Sequence, residues 1–308
     1  MLRHRRYFLL LIKKKMKDID ARDFIAHANF KLAPRPTHLE WDLSDDEKDE
    51  MLSEIRSKLS KIQEKMYAHN RYGVLICLQG MDTSGKDSLI REVFKEMNPR
   101  GIVVHSFKTP TSKELKHDYL WRHYIALPES GKIAVFNRSH YENVIVTRVH
   151  PEYLLNGNLP GMEAVADIPE DFWERRFAQI NNFEKHLAGN GTVVIKFYLN
   201  LSKEEQRQRL LRRLDEEKHN WKFSTGDLEE RALWDKYMRY YEEAIQKTHS
   251  DNAPWYIIPA DDKDTARVIA GSILLETLEQ LRDIREPDLD EEVQKDIKKY
   301  RDFLQDEA

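Results

Sequence analysis

Five short runs along the chain are apolar almost throughout: 74–78 (VLICL), 102–107 (IVVHSF), 133–136 (IAVF), 192–199 (TVVIKFYL) and 255–259 (WYIIP). Strands that read this way are buried on both faces, as in a parallel sheet; an antiparallel strand with one wet face alternates. Between the runs the apolar spacing changes to three and four. It predicts helices over 86–97, 113–125, 170–188, 202–217, 227–247 and 264–283. Strands alternating with helices predict an α/β fold with a parallel sheet covered on both sides. Ahead of the first strand, Leu52, Ile55, Leu59, Ile62 and Met66 mark a long amphipathic helix over 44–67. Ser44 and Glu47 form its capping box. Its apolar face is expected to pack on the next unit or on a sister subunit.

One domain of 308 residues is expected. It comprises a helical N-terminal extension (1–72), a core (73–285) and a peripheral C-terminal helix (286–308). Segment 148–170 breaks the strand–helix rhythm with Gly, Pro and Asn. Following a central strand, it falls on the ligand-binding edge of an α/β sheet, as a lid near 148–190 or as a plain surface loop. The apolar centre of the first eighteen residues, 7–12, is too short to span a bilayer. Met16 is expected to be the start, with residues 1–15 a translated upstream stretch.

A formal charge of −4 gives no support to a nucleic-acid partner. A polyanionic ligand therefore requires basic residues gathered locally. The single cysteine, Cys77, excludes an intrachain disulfide and fits a cytoplasmic protein with no membrane partner. Cys77 lies in an apolar strand and reads as a buried, inert thiol.

The chemistry concentrates at strand ends. Residues 80–88, GMDTSGKDS, match the G-x-x-x-x-G-K frame, follow a strand and open a helix. That context predicts a phosphate cradle: Gly80, Thr83, Ser84 and Gly85 supply backbone, and Lys86 reaches the phosphate. The expected Ser/Thr after the lysine is replaced by Asp87, and a second acid, Asp82, lies inside the loop. Carboxylate oxygens suit Mg²⁺. Asp82 reads as a metal ligand, and Asp87 either as a second one or as an acid offsetting the helix dipole.

The third strand ends in Asn137 and Arg138. An Asn there binds metal less strongly than an Asp and leaves more of that work to Asp82. Arg138 faces transferring phosphate or pairs with Glu142 four residues on. Lys108 leaves the same sheet edge, and Arg122 lies in an aromatic-rich helix. His117, His123, His140 and His150 show no metal-type spacing, so surface or hydrogen-bonding roles are expected. Ser202 and Glu205 cap a helix carrying Arg209, Arg212 and Arg213, with Lys218 and Lys222 beyond it. This stretch is either a basic cover over a donor or a solvated, salt-bridged helix.

At GMDTSGKD, FNRSHYENV, LWRHY and KFSTGDLEERALWDKYMRYYEEAI…APWYIIPADDK, the chain resembles the polyphosphate kinase 2 family. The motifs run from about 73 to 268 in family order. The resemblance implies a P-loop kinase fold, with a five-stranded parallel sheet in the order 2-3-1-4-5 flanked by helices and a helical lid. It implies Mg²⁺-dependent phosphoryl transfer between inorganic polyphosphate and nucleotides, with adenine and then guanine nucleotides as expected partners; the helix over 44–67 is the ground for expecting a homo-oligomer. By matching position, Asp82 becomes the metal-holding acid, and Lys86 and Arg138 phosphate binders. Lys108, Arg122, Arg148, Arg209, Arg213, Lys218 and Lys222 become basic residues of the substrate tunnel. Asn137, where many members carry Asp, resembles the subgroup acting on both AMP and ADP. Two alternatives stand beside this reading: an ATP-dependent nucleoside monophosphate kinase, and a non-catalytic phosphate-sensing module.

Overall fold

In the computed structural model, β1 (Gly73–Gln79) is buried along its whole length. It pairs in parallel with β3 (Ile133–Asn137) on one side and β4 (Thr192–Asn200) on the other. β2 (Ile102–Ser106) and β5 (Trp255–Pro259) are the edges, giving the order β2-β3-β1-β4-β5 expected above. The structure describes residues 19–217, 220, 224–281 and 283–307. The expected start at Met16, the 1–15 stretch, Lys218 and Lys222 lie outside the described residues. The helices are α1 (Asp45–His69), α2 (Lys86–Val93), α3 (Trp121–Tyr124), α4 (Val146–Val149) and α5 (Phe172–Gly189), then α6 (Lys203–Asp215), α7 (Gly226–Ala232), α8 (Trp234–Thr248), α9 (Lys263–Glu279) and α10 (Glu291–Asp306).

Alternate residues of β1 serve opposite layers. Val74, Ile76 and Leu78 join the core under α1, α2 and α9, whereas Leu75 and Cys77 pack toward α5. The Ser44–Glu47 capping box starts α1. Its apolar face is spent inside the chain: Met51, Leu52, Ile55, Leu59 and Met66 are buried with residues of α9. A Cβ at Gly271 would stand 3.0 Å from Ile55 Cγ2, so the close approach of α1 and α9 depends on that glycine. Cys77 is fully buried, and burial pushes its thiol up.

Three expected helices come out shorter or broken. The 86–97 helix stops at Val93, and Phe94 turns out of it. In place of a helix over 113–125 there is one turn of 3₁₀ helix at Glu114–Lys116, an extended His117 and the single turn α3. The Asp118 carboxylate takes the Leu120 N–H at 2.7 Å, an Asx turn that competes with the helical ladder. The 227–247 stretch is broken at Leu233 into α7 and α8. The lid region holds α4, 3₁₀ turns at Pro151–Gly157 and Val165–Asp167, and then α5. Among the described residues, α10 has no buried side chain, and no helix is long and apolar enough to cross a membrane.

Candidate active site

The carboxyl ends of β1 and β3 lie side by side, so the loops after them share one crevice. Residues 80–85 carry β1 into α2 through three positive φ angles, at Gly80 (147°), Thr83 (65°) and Gly85 (105°). At Gly80 a Cβ would fall 2.9 Å from Ser84 Oγ and 3.0 Å from the Leu199 carbonyl, so no larger residue fits the turn. Lys86 is buried and bends back onto its own loop, donating to the carbonyls of Gly80 (2.7 Å) and Met81 (3.1 Å). Burial, followed by the neighbouring Arg138, pulls its ammonium down to about 8. The Thr83 and Ser84 hydroxyls are buried without a hydrogen-bond partner. Orphaned polar atoms of this kind suit a ligand with many acceptor oxygens.

Across the crevice, Arg138 is itself left-handed (φ 63°). Its guanidinium donates to Asp82 Oδ1 at 2.8 Å and lies 3.5 Å from Glu142. Glu142 foremost, then Asp82, hold Arg138 firmly protonated. Asn137 donates its amide to Asp87 Oδ1 at 2.6 Å. Asp87 is therefore more than a helix-start acid. It crosslinks the phosphate loop to the end of β3, and an Asp at 137 would set two carboxylates against each other there.

A cavity of about 650 Å³ opens over the loop. Among the described residues, seven basic side chains line it against three acidic ones, in a chain that is net negative. This is the local gathering that a polyanionic ligand requires. A second cavity of about 920 Å³ adjoins it, walled by the β2–β3 connection, the 153–162 turns and α5. Phe107, Lys108, Thr109 and Arg138 line both. Glu142 lines the second cavity only.

The remaining predicted basic residues divide. Lys108 and Arg213 reach the cavities, Arg213 with one nitrogen on Asp227 at 2.9 Å. Arg209 lines the first cavity, but its guanidinium is spent on protein. It donates to the carbonyls of Thr83, Ser84, Ala260 and Asp261 and to Glu205. It therefore braces the phosphate loop against the β5–α9 turn. Arg122 lines the second cavity, where it holds Glu114 (3.2 Å) and the Lys108 carbonyl (2.9 Å). Arg148 lines neither. It is packed among Trp173, Phe177 and Tyr240 and paired with Glu243 at 2.7 Å, because α4 turns it toward α5 and α8. Of the histidines expected in surface or hydrogen-bonding roles, His140 is buried and bonded to Glu184 at 3.0 Å, His150 is bonded to Glu230 at 3.1 Å, and His123 is buried.

The sequence profile of the polyphosphate kinase 2 family matches residues 42–286. The chain belongs to the polyphosphate kinase 2 family. An ADP-polyphosphate phosphotransferase of Rhodopseudomonas palustris is 48% identical over 233 residues, 76% of this chain and 80% of that protein. An AMP/ADP-polyphosphate phosphotransferase of Meiothermus ruber is 46% identical over 232 residues, covering 75% and 81%. The crystal structure of polyphosphate kinase 2 from Arthrobacter aurescens TC1 superimposes with a TM-score of 0.80 at 35% identity, covering 90% of this chain and 95% of that one.

Among the described residues, two basic side chains of the first cavity were not singled out from the sequence as site residues. Lys263 lines the first cavity from the start of α9. It closes the PADDK motif quoted above, and its place just after the fifth strand was the available signal. Arg212 was noticed only as a neighbour of Arg209, yet it lines the cavity too.

Proposed function

We propose that the protein transfers phosphoryl groups reversibly between inorganic polyphosphate and nucleoside mono- and diphosphates, taking AMP to ADP and ADP to ATP. The observation that carries this reading is the meeting of two unlike cavities at Arg138: a basic one over the phosphate loop and a larger, less polar one beside it. The first suits a chain of phosphates, and the second suits a nucleoside with its phosphate tail toward Arg138. Relatives named for ADP and for AMP/ADP substrates support the same pairing. Asn137 supports the inclusion of AMP, and guanine nucleotides are a further acceptor class. The enzyme works in the cytoplasm as a homo-oligomer, one domain per chain, with 148–190 as the cover of the acceptor cavity.

The donor's end phosphate settles on the loop N–H groups and the start of α2. Lys86 turns from the Gly80 and Met81 carbonyls onto it. Arg138 bridges the transferring group and the acceptor, neutralising charge in a loose transition state. The acceptor phosphate is already an anion, so no strong general base is needed. Among the described residues no cluster of three acidic, His or Cys side chains could cage a metal. Mg²⁺ fits that sparse donor set, because it keeps waters and substrate phosphates as ligands. Asp82 would hold it, with support from the Asp87 oxygen not engaged by Asn137. Bound there, the ion offsets phosphate charge on donor and acceptor.

The donor cavity can be tested through Lys263. Burial, followed by Arg209, Arg212 and Arg267, pulls its ammonium down to about 8, with Glu205 working the other way. Below pH 8 it is a cation and favours polyphosphate; above pH 8 it becomes neutral. Lys263→Arg stays charged throughout. The ratio of wild-type to Lys263→Arg KM for polyphosphate is expected to rise by up to about tenfold from pH 7 to 9. The KM for ADP is expected to give a flat ratio. A rising ADP ratio with a flat polyphosphate ratio would reverse the assignment of the cavities.

A further inference from the structure

Two buried charges sit behind the site and touch neither cavity. Glu184, on α5, is 1% exposed, and Lys196, in the middle of β4, is 0% exposed. Lys196 Nζ donates to Glu184 Oε2 at 2.6 Å, to the Tyr141 hydroxyl at 2.9 Å and to the Thr248 carbonyl at 2.8 Å. The other oxygen, Glu184 Oε1, accepts from His140 Nε2 at 3.0 Å and from the Tyr141 hydroxyl at 2.7 Å. Burial pushes the Glu184 carboxyl up, but Lys196 and His140 outweigh it and hold it below the usual carboxylate range. A buried ion pair is weak evidence for stability, since an apolar pair often does as well. What this one grips is specific. His140 and Tyr141 are the second and third residues after Arg138.

We propose that Glu184 is a positioning residue for phosphoryl transfer, holding the left-handed turn at Arg138 through His140 and Tyr141, with Lys196 as its buried counter-charge. The turn needs such a hold. Arg138 departs from β3 with φ 63°, and its N–H is tied to the Leu78 carbonyl at 3.1 Å. Ser139 is held by Gln79 at 3.1 Å. The grip on His140 and Tyr141 ties the turn to α5. That helix also carries Arg176, stacked 3.7 Å from the Tyr119 ring in the wall of the second cavity. Glu184 lies eight residues further along α5, about 12 Å away. One carboxylate thus fixes the transferring arginine relative to the acceptor's wall.

The inference rests on the transfer role of Arg138 proposed above, and the test separates the two. Glu184→Leu with Lys196→Met removes both charges and leaves none unpaired. Its kcat is expected to fall roughly 10- to 100-fold, the scale of a 1 Å misplacement, with polyphosphate KM within about threefold of wild type. Glu184→Gln with Lys196→Met restores an acceptor oxygen for His140 and Tyr141, and kcat is expected to return to within about threefold of wild type. In an Arg138→Ala background the Leu/Met pair is expected to cost less than about twofold more. If the Leu/Met protein does not fold, Tyr141→Phe is carried through the same cycle, with the same lack of additivity expected. Unchanged kcat in folded Leu/Met protein, or equal losses with and without Arg138, overturns the proposal. Full activity in Arg138→Ala alone overturns the transfer role instead.

Discussion

Asp82→Asn removes nearly all turnover from a protein that still folds. The carboxylate orients Arg138 across a 2.8 Å contact, and in the proposed mechanism it would also supply the loop's own charge for a metal ion. Asn keeps the shape and loses both tasks. A fall in kcat of about 10³-fold is expected, the upper range for one preorganised electrostatic group. Folding is spared for a structural reason. The Asp82 backbone is anchored separately, its carbonyl taking Gln206 Nε2 at 3.1 Å. The Arg138 pair is part-exposed, and such pairs contribute about 0–1 kcal/mol. Steady-state kcat and the thermal midpoint, measured on one preparation, check both halves. A kcat within tenfold of wild type, with the midpoint unchanged, removes Asp82 from the centre of the mechanism.

Lys86→Ala produces a comparable loss with a different signature. The lysine gives the cradle a movable cation, parked on the Gly80 and Met81 carbonyls at 2.7 and 3.1 Å. Its burial is unfavourable to the charge, which is why its ammonium sits near 8. Deleting it leaves the Gly80 carbonyl short of a donor, about 1–3 kcal/mol, offset in part by relief of the buried charge, while the Met81 carbonyl keeps the Ser84 N–H. In the proposed mechanism the lysine grips the bound donor and grips the transition state more strongly. Polyphosphate KM is expected to rise and kcat to fall, with kcat/KM down by about 10³-fold or more. Near-normal kcat/KM from the folded variant contradicts the assignment.

The sheet was legible because its physics is local. The buried strands β1, β3, β4 and β5 read as continuously apolar, and the runs at 74–78, 133–136, 192–199 and 255–259 each lie on one of them. The 102–107 run marks the edge strand β2, where the expected burial on both faces fails because Val103 and Val104 are exposed. The phosphate loop was legible because backbone geometry leaves so little choice at Gly80. Side chains whose partners lie far along the chain were not. Arg209 and Arg148 look like surface cations on helices. Arg209 owes its role to carbonyls on the β1 and β5 loops, and Arg148 owes its burial to three rings on α5 and α8. The Asn137–Asp87 bond joins residues fifty positions apart and recasts both acids of the loop. Asp87 braces the strand end, which leaves Asp82 as the acid facing Arg138. Glu184 and Lys196 carry no motif signal, since a lone charge in a strand or helix gives no sign that it will be buried against another.

The most direct test of the central claim is a donor assay on purified protein. Long-chain polyphosphate or ATP is supplied as the sole phosphoryl donor, with AMP or ADP as acceptor and Mg²⁺ present. With polyphosphate, ADP from AMP and ATP from ADP are expected, at kcat/KM values well above any transfer from ATP to AMP. Efficient ATP-to-AMP transfer with no product from polyphosphate would contradict the central claim and make the basic cavity the seat of a nucleotide donor.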